Sequence, residues 1–311
     1  GVKVRALADA STLWVSKQYL RDLREAGIQL LPYRPFMSIY TFHTLNYRNH
    51  RKIVVIDGQI GFVGGMNLDK EQLHNKSGFW RDTHLRIVGE AVQALQASFA
   101  VSWYNTTQEK IVDEINFPSP NLVDMPLTPV QVTFGGPDSQ WRAMQQLYFM
   151  MIMSANKKVQ IQSPFFIPDL SLLEAIKAAA LSGIQVEIMC TKWGTGTDFP
   201  LPYYAANTYF ADVVRAGARV FLYKKGYMHC KTIGIDEQVC AIGTANFDIR
   251  SFYLNYETMT VIYDDQLARE LAGHFQEDLL ECEEFLLEEY LERPVLSRLR
   301  DSICRLGSPI M

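Results

Sequence analysis

His50-Arg51-Lys52-Ile53-Val54-Val55-Ile56-Asp57, followed by Gly64 and Asn67, is the stretch whose reading decides the rest, because it occurs twice. His229, Lys231, Asp236, Gly243 and Asn246 repeat His50, Lys52, Asp57, Gly64 and Asn67 at the same offsets. In each copy a polar pair precedes an apolar β-branched run and a turn, so His and Lys, two apart, are expected on one face of a strand. Asp57-Gly58 reads as a tight hairpin turn. The returning strand, Ile60 to Met66, ends on Asn67, which the hairpin brings back beside His50. A single copy reads equally well as a surface strand with a glycine-rich turn. Five residue types recurring at five fixed offsets do not.

The repeat extends beyond the motif. Ala26 to Tyr33 and Ala216 to Tyr223 share the phrase Ala-Gly-x-x-x-x-x-Tyr, and Gly1 to Leu7 aligns with Gly183 to Met189. Each copy therefore predicts a strand (Val2 to Leu7; Ile184 to Cys190), a helix stopped by Gly27 or Gly217 (Leu13 to Ala26; Tyr203 to Ala216) and a further strand (Ile28 to Tyr33; Ala218 to Tyr223). The alternation predicts an α/β fold of two pseudo-symmetric halves, each a mixed sheet flanked by helices. The second half has a strand (Val159 to Phe166) and a helix (Leu170 to Leu181) ahead of this unit, and the first has neither. The first half, residues 1–116, is thus expected to be incomplete at its N-terminal side. Residues 117–129, rich in proline and without periodicity, read as a linker, and 130–292 as the second half. In the first half a strand at Leu85 to Val88 and a helix at Gly89 to Tyr104 follow the motif. The second half opens on a strand, Val130 to Phe134, with Gly135-Gly136-Pro137-Asp138 as a turn capping a helix from Trp141 to Ala155.

From Asp264 to Glu292 eleven acidic residues face Arg269 alone, while Leu267, Leu271, Phe275 and Leu279 keep an apolar stripe, so this stretch reads as a helix with a solvated acidic face. Residues 293–311 reverse the sign, with Arg293, Arg298, Arg300 and Arg305 against Asp301 and with Leu296, Leu299, Ile303 and Leu306 at helical spacing. That pattern fits a basic amphipathic helix on an anionic membrane surface, or equally a helix packed back on the body. The chain, 311 residues and 48% hydrophobic, can bury a real core. Its net charge of −4 and pI near 5.9 argue against broad affinity for nucleic acid. Five cysteines without metal-ligand spacing give no disulfide framework, and there is no run of eighteen apolar residues to span a bilayer.

The doubled motif resembles that of the phospholipase D superfamily, whose members bring two copies into one active site. The resemblance implies phosphodiester chemistry through a covalent phosphohistidine, with no metal and no cofactor. His50 is then the nucleophile and His229 the acid, on the family's pattern, for the residues alone are nearly symmetric. Lys52, Lys231, Asn67 and Asn246 would supply charge and amide donors to the phosphoryl oxygens. In the family an acidic residue shortly after each motif orients the histidine. Asp82 fills that place after the first motif and Glu257 after the second, so Asp82 is expected beside His50 and Glu257 beside His229. Asp57 and Asp236 sit at turns and are expected to be structural. His43, His74, His84 and His274 have no place in the repeat.

Asn46 to Lys52, Trp80-Arg81-Asp82-Thr83-His84 and Asn246 to Phe252 with Asn255-Tyr256-Glu257 sharpen the likeness to bacterial cardiolipin synthases, over nearly the whole chain. Cys230, between the second His and Lys, departs from the small residue usual there. This likeness implies transfer of a phosphatidyl group between two phosphatidylglycerols, at a membrane surface, with no nucleic acid partner. It also implies location in the bacterial cell membrane, through upstream spans expected to be missing from this chain and through the C-terminal tail. A phospholipase D hydrolase, with water as acceptor, and a phosphatidyltransferase using another alcohol remain alternatives. An inactive membrane-binding scaffold is disfavoured by the intact His, Lys and Asn of both copies.

Overall fold

A computed structural model of the chain describes residues 1–10, 16–33, 46–68, 79–113, 115–120, 127–195 and 200–310. Near the N-terminus β1 (Val4–Asp9), α1 (Lys17–Glu25) and β2 (Ile28–Tyr33) form a parallel β-α-β unit. Ser16 caps α1 by accepting the Tyr19 amide, and Gly27, at φ 82°, leaves it through the left-handed region. The first five residues of the helix expected from Leu13 fall partly outside the described residues. A short β3 (Arg48–Asn49) precedes the first motif. β4 (Ile53–Ile56), β5 (Ile60–Gly64) and β7 (His84–Val88) then make an antiparallel sheet, with β6 (Phe79–Arg81) ahead of β7 and α2 (Ala91–Thr107) behind it. Leu95 and Trp103 of α2 are buried.

The C-terminal part follows the same order around a larger sheet. β8 (Val130–Gly135), α3 (Ala143–Ser154), β9 (Lys158–Gln162), β10 (Phe166–Ile167), α4 (Leu170–Leu181), β11 (Gln185–Thr191), α5 (Leu201–Arg215) and β12 (Arg219–Tyr223) come first. β13 (Gly226–Met228) precedes the second motif, followed by β14 (Thr232–Ile235), β15 (Val239–Gly243), β16 (Phe247–Asp248), α6 (Ile249–Tyr253) and β17 (Asn255–Ile262). α7 (Asp265–Leu279), β18 (Cys282–Glu284), α8 (Leu287–Glu292) and α9 (Val295–Leu306) end the chain. The sheet runs β18-β12-β11-β9-β14-β15-β17, with β8 and β3 both on β17. It is parallel from β12 to β9 and antiparallel from β9 through β14, β15 and β17 to β8, while β3 joins β17 in parallel. Alternate strand residues enter opposite cores. Ile188 joins Ile152, Leu172 and Phe210 of α3, α4 and α5, and its neighbour Met189 joins Phe275 of α7. Each such side chain removed from water contributes about 1.5–3 kcal/mol.

β9 is what unites β11 with β14. Among the described residues the N-terminal part has no counterpart to it, so β1-β2 and β4-β5-β7 stand as separate sheets. Asp236 shows what such a strand needs. At φ 55° in the β14-β15 turn, it accepts the amides of Asn156, Lys157 and Lys158 at 2.7–2.8 Å and pins the start of β9. Asp57 holds the matching turn at φ 51° and is exposed.

Four sequence expectations are corrected. The His and Lys of each motif do not lie on a strand. Residues 50–52 and 229–231 fall in breaks between β3 and β4 and between β13 and β14, because the strand on each side of the break pairs with a different partner. The acidic stretch 264–292 is not one helix: Cys282–Glu284 leaves it to close the free edge of β12 as β18. Gly135 to Asp138 does not cap α3, whose cap residue Arg142 makes no side-chain bond. Gly136 is needed instead because a Cβ there would lie 2.6 Å from the Tyr256 ring. The strand expected from Val159 to Phe166 breaks after Gln162, and β10 pairs with β16.

Candidate active site

Two short parallel ladders cross between the N- and C-terminal parts and build the site. β3 lies along the head of β17, Arg48 beside Asn255 and Asn49 beside Tyr256, and β6 lies along β13, with Arg81 beside Met228. Each ladder continues by one bond into a motif: the His50 amide donates to Tyr256 O at 3.0 Å, and the His229 amide to Arg81 O at 2.7 Å. The next residue on each partner strand is an acid. His50 Nδ1 therefore meets Glu257 Oε1 at 2.8 Å, and His229 Nδ1 meets Asp82 Oδ2 at 2.7 Å. This overturns the expected pairing of Asp82 with His50 and Glu257 with His229. Each acid comes from the opposite part of the chain, since the register of an inter-part ladder places it and sequence spacing does not.

The lysines curl back on their own motif. Lys52 Nζ donates to His50 O at 2.7 Å and Lys231 Nζ to His229 O at 2.6 Å. Burial lowers Lys52 to about 7, with Glu257 pulling the other way, and lowers Lys231 to about 8, against Asp82. Burial also lowers both histidines. For His50 the carboxylate of Glu257 offsets part of it, while His229 is driven further down by Lys231, Lys52 and His50. Those mutual influences place both motifs in one electrostatic site. Burial pushes Glu257 upward, but His50, Lys52 and the Thr244 hydroxyl outweigh it and hold the carboxyl below its usual value. For Asp82 burial wins, and its carboxyl sits above the usual value.

The two copies differ in what surrounds them. His50 is 27% exposed at its side chain and His229 8%. Glu257 is fully buried and held by Thr244 Oγ1 at 2.5 Å and Asn255 Nδ2 at 3.1 Å as well as by His50. Asp82, 7% exposed at its side chain, accepts the Thr83 amide at 2.8 Å besides facing His229. His229 packs against both Trp80 and Tyr227, with ring centroids 5.1 and 5.4 Å away, and those two rings meet each other at 4.8 Å. Where Thr244 stands in the second copy the first has Gly65, and a Cβ there would fall 1.9 Å from Asp82 Oδ1. The motif glycines have the same kind of cause. At Gly64 a Cβ would lie 2.6 Å from Thr83 O, and at Gly243 it would lie 2.2 Å from Thr258 O.

Asn246 is half-buried, hydrogen-bonds Asp248 through its side chain, and keeps Oδ1 buried without a partner among the described residues. Asn67 is half-buried, three residues beyond the end of β5. Between His and Lys, Arg51 ties the first motif to α2 through Ser98 and Ser102, at 2.8 and 3.2 Å. Cys230 is its buried counterpart, and burial pushes the thiol up to about 12, far from a reactive thiolate.

Spacing did not single out Thr244, Asn255, Trp80, Tyr227 or the Arg81-Asp278 pair. Arg81 donates to Asp278 at 2.8 Å and to Asp82 O at 2.7 Å, which braces Asp82 from α7. The signals were the clusters Trp80 to His84 and Asn255 to Glu257, whose meaning depends on the strand each meets far away in sequence. His84 starts β7, and His274 lies exposed between Glu270 and Glu277. His43 and His74 lie outside the described residues. Among the described residues no group of three or more His, Cys, Asp or Glu is arranged for a metal ion, and no helix is long and apolar enough to cross a membrane.

The fold is that of an α/β protein similar over 99% of its length to the phosphatidylserine synthase of Haemophilus influenzae, with a TM-score of 0.72 and 16% identity over 83% of that chain. At that identity the likeness speaks for the fold alone. The chain belongs to the family described as cardiolipin synthase, PLD-like domain, whose model matches residues 1–103 and 148–279. It is 41% identical over its whole length to the cardiolipin synthase of Geobacillus kaustophilus, and likewise 41% identical to the major cardiolipin synthase of Bacillus subtilis. The chain spans 62% and 64% of the length of these relatives.

Proposed function

We propose that the chain carries the catalytic site of a cardiolipin synthase, moving a phosphatidyl group from one phosphatidylglycerol to another without a metal. The observation that carries this reading is the reciprocal pairing of two His-Lys motifs, each histidine on the other part's carboxylate, in a chain of this family. His50, the more exposed imidazole, attacks phosphorus through Nε2, while Glu257 holds Nδ1–H. The P–O bond to the headgroup glycerol breaks, and His229 delivers the proton that lets glycerol leave. The headgroup hydroxyl of a second phosphatidylglycerol then gives its proton to His229 and displaces His50 from phosphorus, releasing cardiolipin.

Both imidazoles start neutral, as their lowered pKa values favour. The phosphodiester's negative charge enters beside His229 and raises its proton affinity, so that Nε2 takes up a proton from solvent as substrate binds, and Asp82, on Nδ1–H, supports the imidazolium that then delivers it. Lys52 and Lys231 offset charge on the phosphoryl oxygens, and the amides of Asn67 and Asn246 complete the donor set in a site already shielded from water. Asp57 and Asp236 shape turns. In this reading the two parts are pseudo-symmetric halves, residues 1–116 and 130–292, that share one site at their boundary. The bacterial cell membrane supplies both substrates.

The test is product analysis with phosphatidylglycerol labelled in its headgroup and in its phosphatidyl part. Cardiolipin plus free glycerol supports the proposal. Phosphatidic acid plus glycerol would assign water as the acceptor and overturn it.

A further inference from the structure

The sequence left α9 two placements, and the structure shows it packed on the body. On a helix of 3.6 residues per turn, Val295, Leu296, Leu299, Ile303 and Leu306 fall within one arc of about 100°. They are 70, 79, 53, 58 and 82% exposed. The polar side of the helix is the one that packs on the body. Asp301 is fully buried on it and takes hydrogen bonds from Asn207 of α5 at 3.0 Å, Arg293 at 3.1 Å and Arg300 at 2.8 Å. Arg305 donates to Asp212 of α5 at 2.7 Å and lies 4.0 Å from the centre of the Tyr209 ring.

Isolated exposed leucines are ordinary, but a continuous aliphatic arc on one helix, held outward by ion pairs on its opposite side, marks a contact surface. We infer that this arc is the face by which the protein lies on an anionic phospholipid bilayer. Three observations favour lipid over protein as its occupant. The arc is purely aliphatic, without the aromatic anchors that concentrate at protein interfaces. Arginines border it on both sides, Arg300 on one and Arg298 and Arg305 on the other. The guanidinium-bearing side chains of Arg300 and Arg305 remain 41 and 33% exposed, at the level where headgroup phosphates would lie. Finally, a line of contacts leads from the face toward the site. Arg300 stacks 3.6 Å from the Tyr204 ring centre, and that ring lies 6.0 Å from Trp193. Trp193 is 40% exposed and follows Thr191, whose hydroxyl donates to the carbonyl of Met228, the residue before His229. The exposed carboxylates of α8, Glu288 and Glu289, repel an anionic surface and so confine the contact to α9. That docking delivers a lipid headgroup to the site rests on the reading of phosphatidylglycerol as substrate; the docking itself does not.

The variant that tests it carries Leu296→Ser, Leu299→Ser and Ile303→Ser together in the 311-residue chain, all at side chains that face solvent. Flotation with phosphatidylglycerol vesicles should show binding at least tenfold weaker than for the unaltered chain, at an unchanged melting temperature. Turnover of phosphatidylglycerol in vesicles should fall, while turnover of a dispersed short-chain phosphatidylglycerol stays the same. Unchanged flotation would overturn the inference. So would sedimentation showing that the unaltered chain is a dimer which the variant dissolves, since the face would then join two copies. Weakened flotation in a chain that makes no cardiolipin from either substrate would support the docking face and overturn the proposed function, so the two failures are distinguishable.

Discussion

Replacing Glu257 by Gln keeps the shape of the side chain and removes its charge. Glu257 is fully buried, 2.8 Å from His50 Nδ1, with Thr244 and Asn255 fixing the carboxylate from the other side. A hydrogen bond to a charged group is worth about 1.5–3 kcal/mol, which at about 1.4 kcal/mol per tenfold predicts a loss of about 10- to 150-fold in kcat. Asp82→Asn should cost a similar factor, since Asp82 and His229 are 2.7 Å apart. What separates the two variants is the step each impairs. Turnover is measured on phosphatidylglycerol and on a phosphatidyl ester of nitrophenol, whose leaving group needs no acid, with His50→Ala and His229→Ala as references. Glu257→Gln should follow His50→Ala and gain nothing from the good leaving group. Asp82→Asn should follow His229→Ala and recover the first-step burst of nitrophenol to within a few-fold of the unaltered chain, while the second step, in which His229 takes the acceptor's proton, stays slow. The acid limb of kcat/KM gives a second reading. A nucleophilic His50 loses activity as pH falls through its pKa, and Glu257 raises that pKa, so Glu257→Gln should move the limb to lower pH. If Glu257→Gln instead tracked His229→Ala, the cross-chain pairing would be wrong whichever histidine attacks.

With Lys52 lowered to about 7 and Lys231 to about 8, kcat/KM should fall as pH rises through 7 to 8 and the ammonium charges are lost, and Lys52→Arg should push that decline to higher pH. A flat profile to pH 9 in the unaltered chain would remove the lysines from charge stabilisation. EDTA should leave turnover intact, because the two lysines meet the phosphodiester's charge. Loss of activity on chelation, restored by a divalent ion, would count against a metal-free mechanism. Gly65→Ala should cost more than tenfold in kcat and lower the melting temperature, since its Cβ would sit 1.9 Å from Asp82 Oδ1. Gly273→Ala in α7, where a Cβ meets nothing within 4 Å, is the matched control and should leave activity unchanged.

The elements that a local pattern specifies were legible in the sequence. β2 and α4 fall at the expected bounds, because the glycine stop ahead of the one and the helical spacing of the other settle such segments before any tertiary contact does. What the sequence could not place depended on which distant strand a segment meets. Cys282–Glu284 has the composition of the helix around it and becomes a strand only because β12 offers an open edge. The arginines of α9 look like a solvated face until Asn207 and Asp212 of α5 are brought against them. The site shows the same division. The doubled motif marks His50, Lys52, His229 and Lys231 from spacing alone, yet the carboxylate nearest each motif along the chain is not the one that reaches its histidine.

That exchange has a mechanical consequence. If each part oriented its own histidine, the two could drift relative to one another and leave both imidazoles correctly held but the distance between them free. Because His50 takes its acceptor from β17 and His229 takes its acceptor from the residue after β6, any shift of one part against the other strains both His-carboxylate bonds together. The backbone bonds His50 N to Tyr256 O and His229 N to Arg81 O fix the same register one residue earlier. Arg81, anchored on Asp278 of α7, then ties the β6 side of that register to the helix layer of the C-terminal part. Histidine orientation and interhistidine spacing are therefore set by one set of contacts, which is the requirement of a reaction in which one imidazole attacks phosphorus while the other protonates the group leaving from its opposite face.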